Sequence, residues 1–381
     1  MSRVNVMQPW LGREEVAALS EVISSGWIAQ GPRVAAFEAD FARMQQAEHA
    51  VAVSSCTAAL HLALKVAGVR LGDEVVVPSF SFIATANAPT YVGAQPVFAD
   101  VDPVTGNLTA RTVEKVLSER TRAVIAVDQG GVPVALDELR ALCDPRGIVV
   151  IEDAACGAGS TYLERPVGAG AEIAVWSFHP RKIITTGEGG MITTAHADWA
   201  DRARRLREHS MSVSAADRHG STLAQLEEYT EIGFNYRMTD LQAAVGIVQL
   251  GRLPEIIERR RQFAEVYTKY INDIDGLRAV ADPSGGTTNF QSYWIEVGDP
   301  YPLDRDDLLA HLASLDISAR RGIMTAHRQP AYAHQGLGPG SLPVSEHLSD
   351  NTLILPLFHE MSVGEQARVI SALLTGSGDK P

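Results

Sequence analysis

Between about residue 12 and residue 250, short β-branched runs alternate with longer amphipathic stretches, and this alternation limits the fold more than any other feature of the chain. The runs are AVAVSS, EVVVPS (74–79), QPVFAD (95–100), RAVIAVD (122–128), GIVVIED (147–153), IAVWSF (173–178) and GMITT (190–194). Helical patterns such as TAALHLALKVAGV and ALDELRALCDPRG lie between them. A strand that is apolar throughout is covered on both faces, and strands alternating with helices run mostly parallel. Seven such runs predict an α/β fold: a large domain with a mostly parallel seven-stranded sheet.

The remainder reads differently. MTDLQAAVGIVQLGRLPEIIERRRQFAEVYTKYIND is helical but holds Pro254, which predicts two helices with a break near Gly251. Beyond residue 280, WIEV (294–297) reads as a strand, and RDDLLAHLASLD (305–316) and QARVISALL (366–374) as helices. The expected organisation is a large domain over 1–250 and a smaller α+β C-terminal domain over 251–381. The turn-rich HQGLGPGSLPVSEH is expected as a surface loop, and Arg259, Arg260 and Arg261 as a solvated helix face.

Composition removes other classes. There are 33 Lys and Arg against 46 Asp and Glu, a net charge of −13. That disfavours a large nucleic-acid footprint or docking on anionic membrane. No signal-peptide pattern opens the chain, and no apolar run is long enough to span a membrane. Three cysteines, Cys56, Cys143 and Cys156, make no disulfide framework and no metal motif. A cytoplasmic protein is expected. There is no G-x-G-x-x-G after a strand and no P-loop.

Three places carry chemistry. In VSSCTAALHLAL a strand turns directly into a helix, whose first free N–H groups, at Thr57 and Ala58, suit a phosphate. Alone, this is also how an ordinary capped helix looks. In IVVIEDAACGAGS, Asp153 ends a buried strand, where an open parallel sheet collects its ligands. A carboxylate there needs a cation, although a helix cap is an equal reading. In WSFHPRKIITTGEGG, Lys182 follows a strand and precedes a glycine-rich turn. Apolar surroundings would lower its pKa and make it an amine nucleophile rather than an exposed turn lysine. Phosphate cradle, carboxylate and lysine together match what pyridoxal phosphate requires.

These motifs, with SGWIAQGPRVAAFEADFA, PSFSFIATANA, NYRMTDLQAA and LPLFHEM, run in an order that resembles the DegT/StrS-type sugar aminotransferases of the fold-type-I pyridoxal phosphate enzymes. The resemblance covers nearly the whole chain. It implies that Lys182 forms the Schiff base and that Asp153 pairs with the pyridine nitrogen. It implies that Phe82 stacks on the ring, that Thr57, Ala58 and Ser177 hold the phosphate, and that Asn235 reaches the phosphate of the other subunit in a homodimer. Arg237 would meet an acidic part of the substrate or form a structural ion pair. His327 falls where relatives place a substrate-facing histidine, or is a surface histidine. Cys156 stands where many relatives have His or Gln against the ring oxygen, or is a small core residue. The implied reaction moves an amino group from L-glutamate or L-glutamine, through pyridoxamine phosphate, to a keto sugar, nucleotide-linked by expectation. A non-nucleotide ketone such as a keto-cyclitol, or a non-catalytic regulator that binds the cofactor, are the rival readings.

Overall fold

The computed structural model describes residues 3–212 and 227–378. Each apolar run forms a strand: β1 (His49–Val53), β2 (Glu74–Pro78), β3 (Gln95–Ala99), β4 (Thr121–Val127), β5 (Val149–Asp153), β6 (Ile173–Ser177) and β7 (Gly190–Thr194). They make one sheet in the order β1-β7-β6-β5-β4-β2-β3. The neighbours from β3 to β6 pair parallel, and β7 pairs antiparallel with both β6 and β1. Residues 154–172 contain no helix, yet lead to a parallel neighbour. Residues 178–189 contain none either, and there the chain folds straight back. Lys182 sits on that short return.

Apolar layers cover both faces. On one lies helix Cys56–Val66, buried almost all round. On the other, Phe37, Phe41, Trp176 and Phe178 pack edge to face. A second sheet holds β8 (Leu277–Ala279), β9 (Tyr293–Val297), β10 (Arg320–Arg321) and β11 (Thr352–Leu355), all antiparallel, in the order β8-β9-β11-β10. Helices Arg305–Ser314 and Val363–Gly376 contribute to its apolar cluster. Among the described residues no helix is long and apolar enough to cross a membrane.

Three expectations fail here for physical reasons. The break near Gly251 is absent: Asp240–Ile271 is one helix of 32 residues, and residue 250/251 falls inside it. Pro254 is exposed, so its ring meets solvent, while Leu250, Leu253, Ile256, Ala264, Tyr267 and Ile271 are buried along the helix. That packing outweighs the roughly 3 kcal/mol an interior proline costs. The three arginines do not share a solvated face, because successive helical residues point about 100° apart. Arg259 pairs with Glu255 at 2.7 Å and Arg261 with Asp282 at 2.9 Å. Arg260 is 0% exposed, and its guanidinium donates to the carbonyls of Phe290 and Gln291. Burial pushes its pKa down to about 9. The expected loop at 334–347 is partly helical, since Pro343 opens helix Pro343–Asn351 and proline suits a first helical position.

Replacing Pro254 with alanine restores an N–H to the middle of this helix. Pro254→Ala should raise stability by roughly 1–3 kcal/mol in chemical denaturation. An unchanged or lower midpoint would show that the proline is not strained there.

Candidate active site

The carboxyl ends of β5 and β6 and the return to β7 build the site. Asp153, the last residue of β5, is only 4% exposed. Its Oδ2 accepts from Thr85 Oγ1 at 3.1 Å, and its Oδ1 from the Ala155 N–H at 3.2 Å. Burial raises its pKa, opposed by Lys182 and by these donors.

Lys182 hangs from a turn in which its own N–H donates to the His179 carbonyl at 2.8 Å. The TTGEGG segment braces that turn. Thr185 Oγ1 donates to the Phe178 carbonyl at 2.9 Å and accepts from the Gly187 N–H at 2.9 Å. Gly187 has φ +84°, a backbone state that glycine adopts freely. Lys182 Nζ points to Cys156 Sγ at 3.1 Å. Burial pulls the lysine pKa down, but Cys156, Cys56 and Asp153 raise it, and the balance lies above the ordinary value. The expected lowering is therefore corrected: neighbouring sulfurs and a carboxylate, invisible in the local sequence, outweigh burial.

The phosphate cradle is set by close backbone approach. Gly190 pairs with Ser177 on one side and with Val53 on the other. A Cβ on Gly190 would lie 2.5 Å from the Ser55 carbonyl, so only glycine lets β7 pass the turn before helix Cys56–Val66. Ser177 thus ends its strand across Gly190 from that helix start. One donor is already used: Ser55 Oγ caps the helix by accepting the Ala58 N–H at 3.1 Å. Of the two expected amides, the Thr57 N–H makes no hydrogen bond among the described residues, and the Ala58 N–H is taken by Ser55 Oγ. Phe82 precedes helix Ile83–Tyr91 and is 67% exposed, three residues before Thr85, which holds Asp153.

Asn235 is exposed. It does not cap the following helix, because Thr239 Oγ1 does, accepting from the Gln242 N–H. The Tyr236 carbonyl accepts the Ser54 N–H at 2.8 Å, so Asn235 and Arg237 flank the cradle. Arg237 is half-buried and has no ion pair or hydrogen bond among the described residues. His327 is not at the surface. It is 2% exposed, with Nδ1 2.6 Å from Ser79 Oγ and Nε2 3.3 Å from Glu346 Oε1. Burial holds its pKa below the usual range, against the pull of Glu346. Both ring nitrogens have partners within the chain.

Sequence reasoning missed Thr85, Cys56 and Asn289. Cys56 Sγ lies 4.0 Å from Asp153 Oδ1. Asn289 is fully buried and donates to the carbonyls of Cys156 at 2.6 Å and Ala158 at 2.8 Å. No local pattern marks it. Gly131, with φ +96°, leaves its space, since a Cβ there would overlap Asn289 Oδ1 at 1.8 Å.

Residues 9–374 match the DegT/DnrJ/EryC1/StrS aminotransferase family. The spore coat polysaccharide biosynthesis protein SpsC of Bacillus subtilis is 36% identical over 96% of this chain and 95% of its own. A UDP-4-amino-4-deoxy-L-arabinose–oxoglutarate aminotransferase of Shewanella sediminis is 35% identical over 98% of both. The aminotransferase TlmJ of Streptoalloteichus hindustanus superposes with a TM-score of 0.90, at 39% identity, over 98% of this chain and 99% of that one. With the fold just described, these define a pyridoxal phosphate-dependent aminotransferase. The chain belongs to the DegT/DnrJ/EryC1/StrS aminotransferase family.

Beside Asp153 two further carboxylates are buried. Glu152 Oε2 and Asp128 Oδ2 have no hydrogen-bond partner. Burial pushes Glu152 up to about 7, and burial together with Glu152 pushes Asp128 well above the usual range. A carboxyl whose folded pKa is raised stabilises the fold at low pH, and that contribution is lost as pH rises through the folded value. The denaturation midpoint should therefore fall between roughly pH 5 and pH 8. Glu152→Gln should flatten that fall, and an unchanged slope would place Glu152 in contact with water or a cation.

Proposed function

We infer that this aminotransferase moves the amino group of L-glutamate, or L-glutamine, to the keto carbon of a nucleotide-linked sugar. The observation that carries the reading is the convergence of Lys182 and Asp153 at the carboxyl end of β5, beside a helix start built to receive an anion. Relatives named for polysaccharide biosynthesis and for a UDP-linked amino sugar and oxoglutarate support the substrate class and the donor.

The donor set fits pyridoxal phosphate. A half-buried amine, a carboxylate already hydrogen-bonded on both oxygens, a hydroxyl at Ser177, the Thr57 N–H and an exposed aromatic residue at Phe82 are all present. When bound, the cofactor supplies an aldehyde for the lysine and a ring that stabilises negative charge at the reacting carbon. Asp153 keeps a proton on the ring nitrogen. Lys182 Nζ takes the proton from the donor's α-carbon and returns it on the other side of the exchange. Thr57 and Ser177, with the helix N-terminus, hold the phosphate. Phe82 would cover one face of the ring, and Cys156 would stand beside it. Arg237, a cation with no partner among the described residues, meets an acidic group of substrate or donor.

Glutamate alone should shift the absorbance of the bound cofactor to shorter wavelength, and a nucleotide-linked keto sugar should restore it. Restoration by keto-cyclitols only would change the substrate class, and no shift at all would favour a non-catalytic regulator. Asp153→Asn should slow both half-reactions at least about a hundredfold, roughly 3 kcal/mol in barrier, and near-normal rates would remove its role.

The same reading makes the enzyme a homodimer with Asn235 completing the partner subunit's phosphate site. Its exposed side chain supports this, because an amide donates to phosphate without adding charge. Mixing Lys182→Ala chains with Asn235→Ala chains should regain activity, up to about half of wild type per mixed dimer, since a two-fold assembly gathers both lesions in one site. No recovery above the average of the parents would keep Asn235 within its own chain.

A further inference from the structure

Two of the three cysteines stand at this site, and none of the three is in a disulfide. Cys156 Sγ is 3.1 Å from Lys182 Nζ, and Cys56 Sγ faces Asp153. Cys143 is buried in a separate apolar cluster. Cys156 and Lys182 are both half-buried, so a small solute reaches them. Asn289 grips the carbonyl of Cys156 and holds this backbone in place. Thiolates are the nucleophilic form of cysteine, and a neighbouring lysine favours them.

We propose that Cys156 is an oxidation site whose product is captured by Lys182, closing a reversible sulfur–nitrogen bond that silences the enzyme while the lysine is free. The proposal rests on the reading of Lys182 as the amine of the transfer reaction. Hydrogen peroxide is the oxidant. The Cys156 sulfur attacks one peroxide oxygen, the O–O bond breaks, and the departing hydroxide takes a proton to become water. Sulfur is oxidised by two electrons to the sulfenic acid, and peroxide is reduced. The proton that the departing hydroxide takes comes from the Lys182 ammonium, and the lone pair so freed on nitrogen attacks the sulfenic sulfur. The S–O bond breaks, hydroxide leaves, and it takes a proton from the amine to become a second water. This step changes no oxidation state. A dithiol reverses it: one thiolate attacks the sulfur, the S–N bond breaks, and nitrogen regains its proton. The second thiol then frees Cys156 as the dithiol cyclises to its disulfide.

Cys56 is the competing trap. Its sulfur contacts the carboxylate of Asp153, and burial holds its thiol protonated, so it is the poorer nucleophile.

The test begins with the holoenzyme treated with L-glutamate, the absorbance shift recorded, and then hydrogen peroxide. Digestion without reductant should yield the peptides of Cys156 and Lys182 joined, lighter than their sum by the mass of two hydrogens. Iodoacetamide labelling of Cys156 should be lost, and dithiothreitol should restore both the labelling and the glutamate response. In Lys182→Ala the sulfenic acid has no amine to meet, so dimedone should label Cys156 after peroxide. Cys156 labelled by iodoacetamide as fully as before, or found joined to Cys56, overturns the proposal. The full chain stripped of cofactor by hydroxylamine separates the two readings. There Lys182 is free whatever the donor, so a link formed in that sample without any absorbance shift from glutamate overturns the donor and leaves the link standing.

Discussion

A carboxylate buried at the end of a central strand persists as an anion only with a cation and donors around it. Asp153 meets that condition through Thr85, the Ala155 amide and the charge of Lys182. Lys182 reaches it because β7 returns antiparallel without a helix, so the connection is a turn at the carboxyl edge of the sheet. Gly190 then lets that strand lie against the turn at Ser55. Strand direction, glycine and carboxylate form one arrangement. A helix inserted after β6 would remove the lysine from the carboxylate and open the cradle at once.

The large sheet was legible because its signal is local. Seven apolar runs became seven strands, and the one reversed strand follows a short connection without a helix. The errors lie where tertiary contacts decide. Pro254 reads as a breaker, yet the helix around it is held by buried side chains on both halves. Arg260 reads as surface, yet carbonyls at Phe290 and Gln291, some thirty residues away in sequence, take its hydrogen bonds.

The site divides in the same way. Lys182, Asp153, Ser177 and the turn at Ser55 each carry a motif that sequence displays. Asn289, Thr85 and Cys56 act through contacts that only the fold creates. The direction of the Lys182 pKa was misread for the same reason. Burial can be guessed from neighbours in sequence, whereas a sulfur 26 residues upstream cannot.

The place of His327 follows from one continuous network. Glu346 accepts the amides of Gly340 and Leu342 and the Arg328 guanidinium, which against the cost of burial hold its pKa at about 2. It faces His327, which faces Ser79 at the end of β2. The Ser79 carbonyl accepts the amides of Ser81 and Ala326, Ser81 Oγ meets Thr85 Oγ1 at 3.0 Å, and Thr85 donates to Asp153. Phe82 stands inside this chain of bonds, between Ser81 and Thr85. Its ring is exposed while the backbone on each side is fastened. An exposed aromatic can be kept in one place only if its backbone is held independently of its own packing. Here a buried histidine supplies part of that hold, from a segment nearly 250 residues away in sequence.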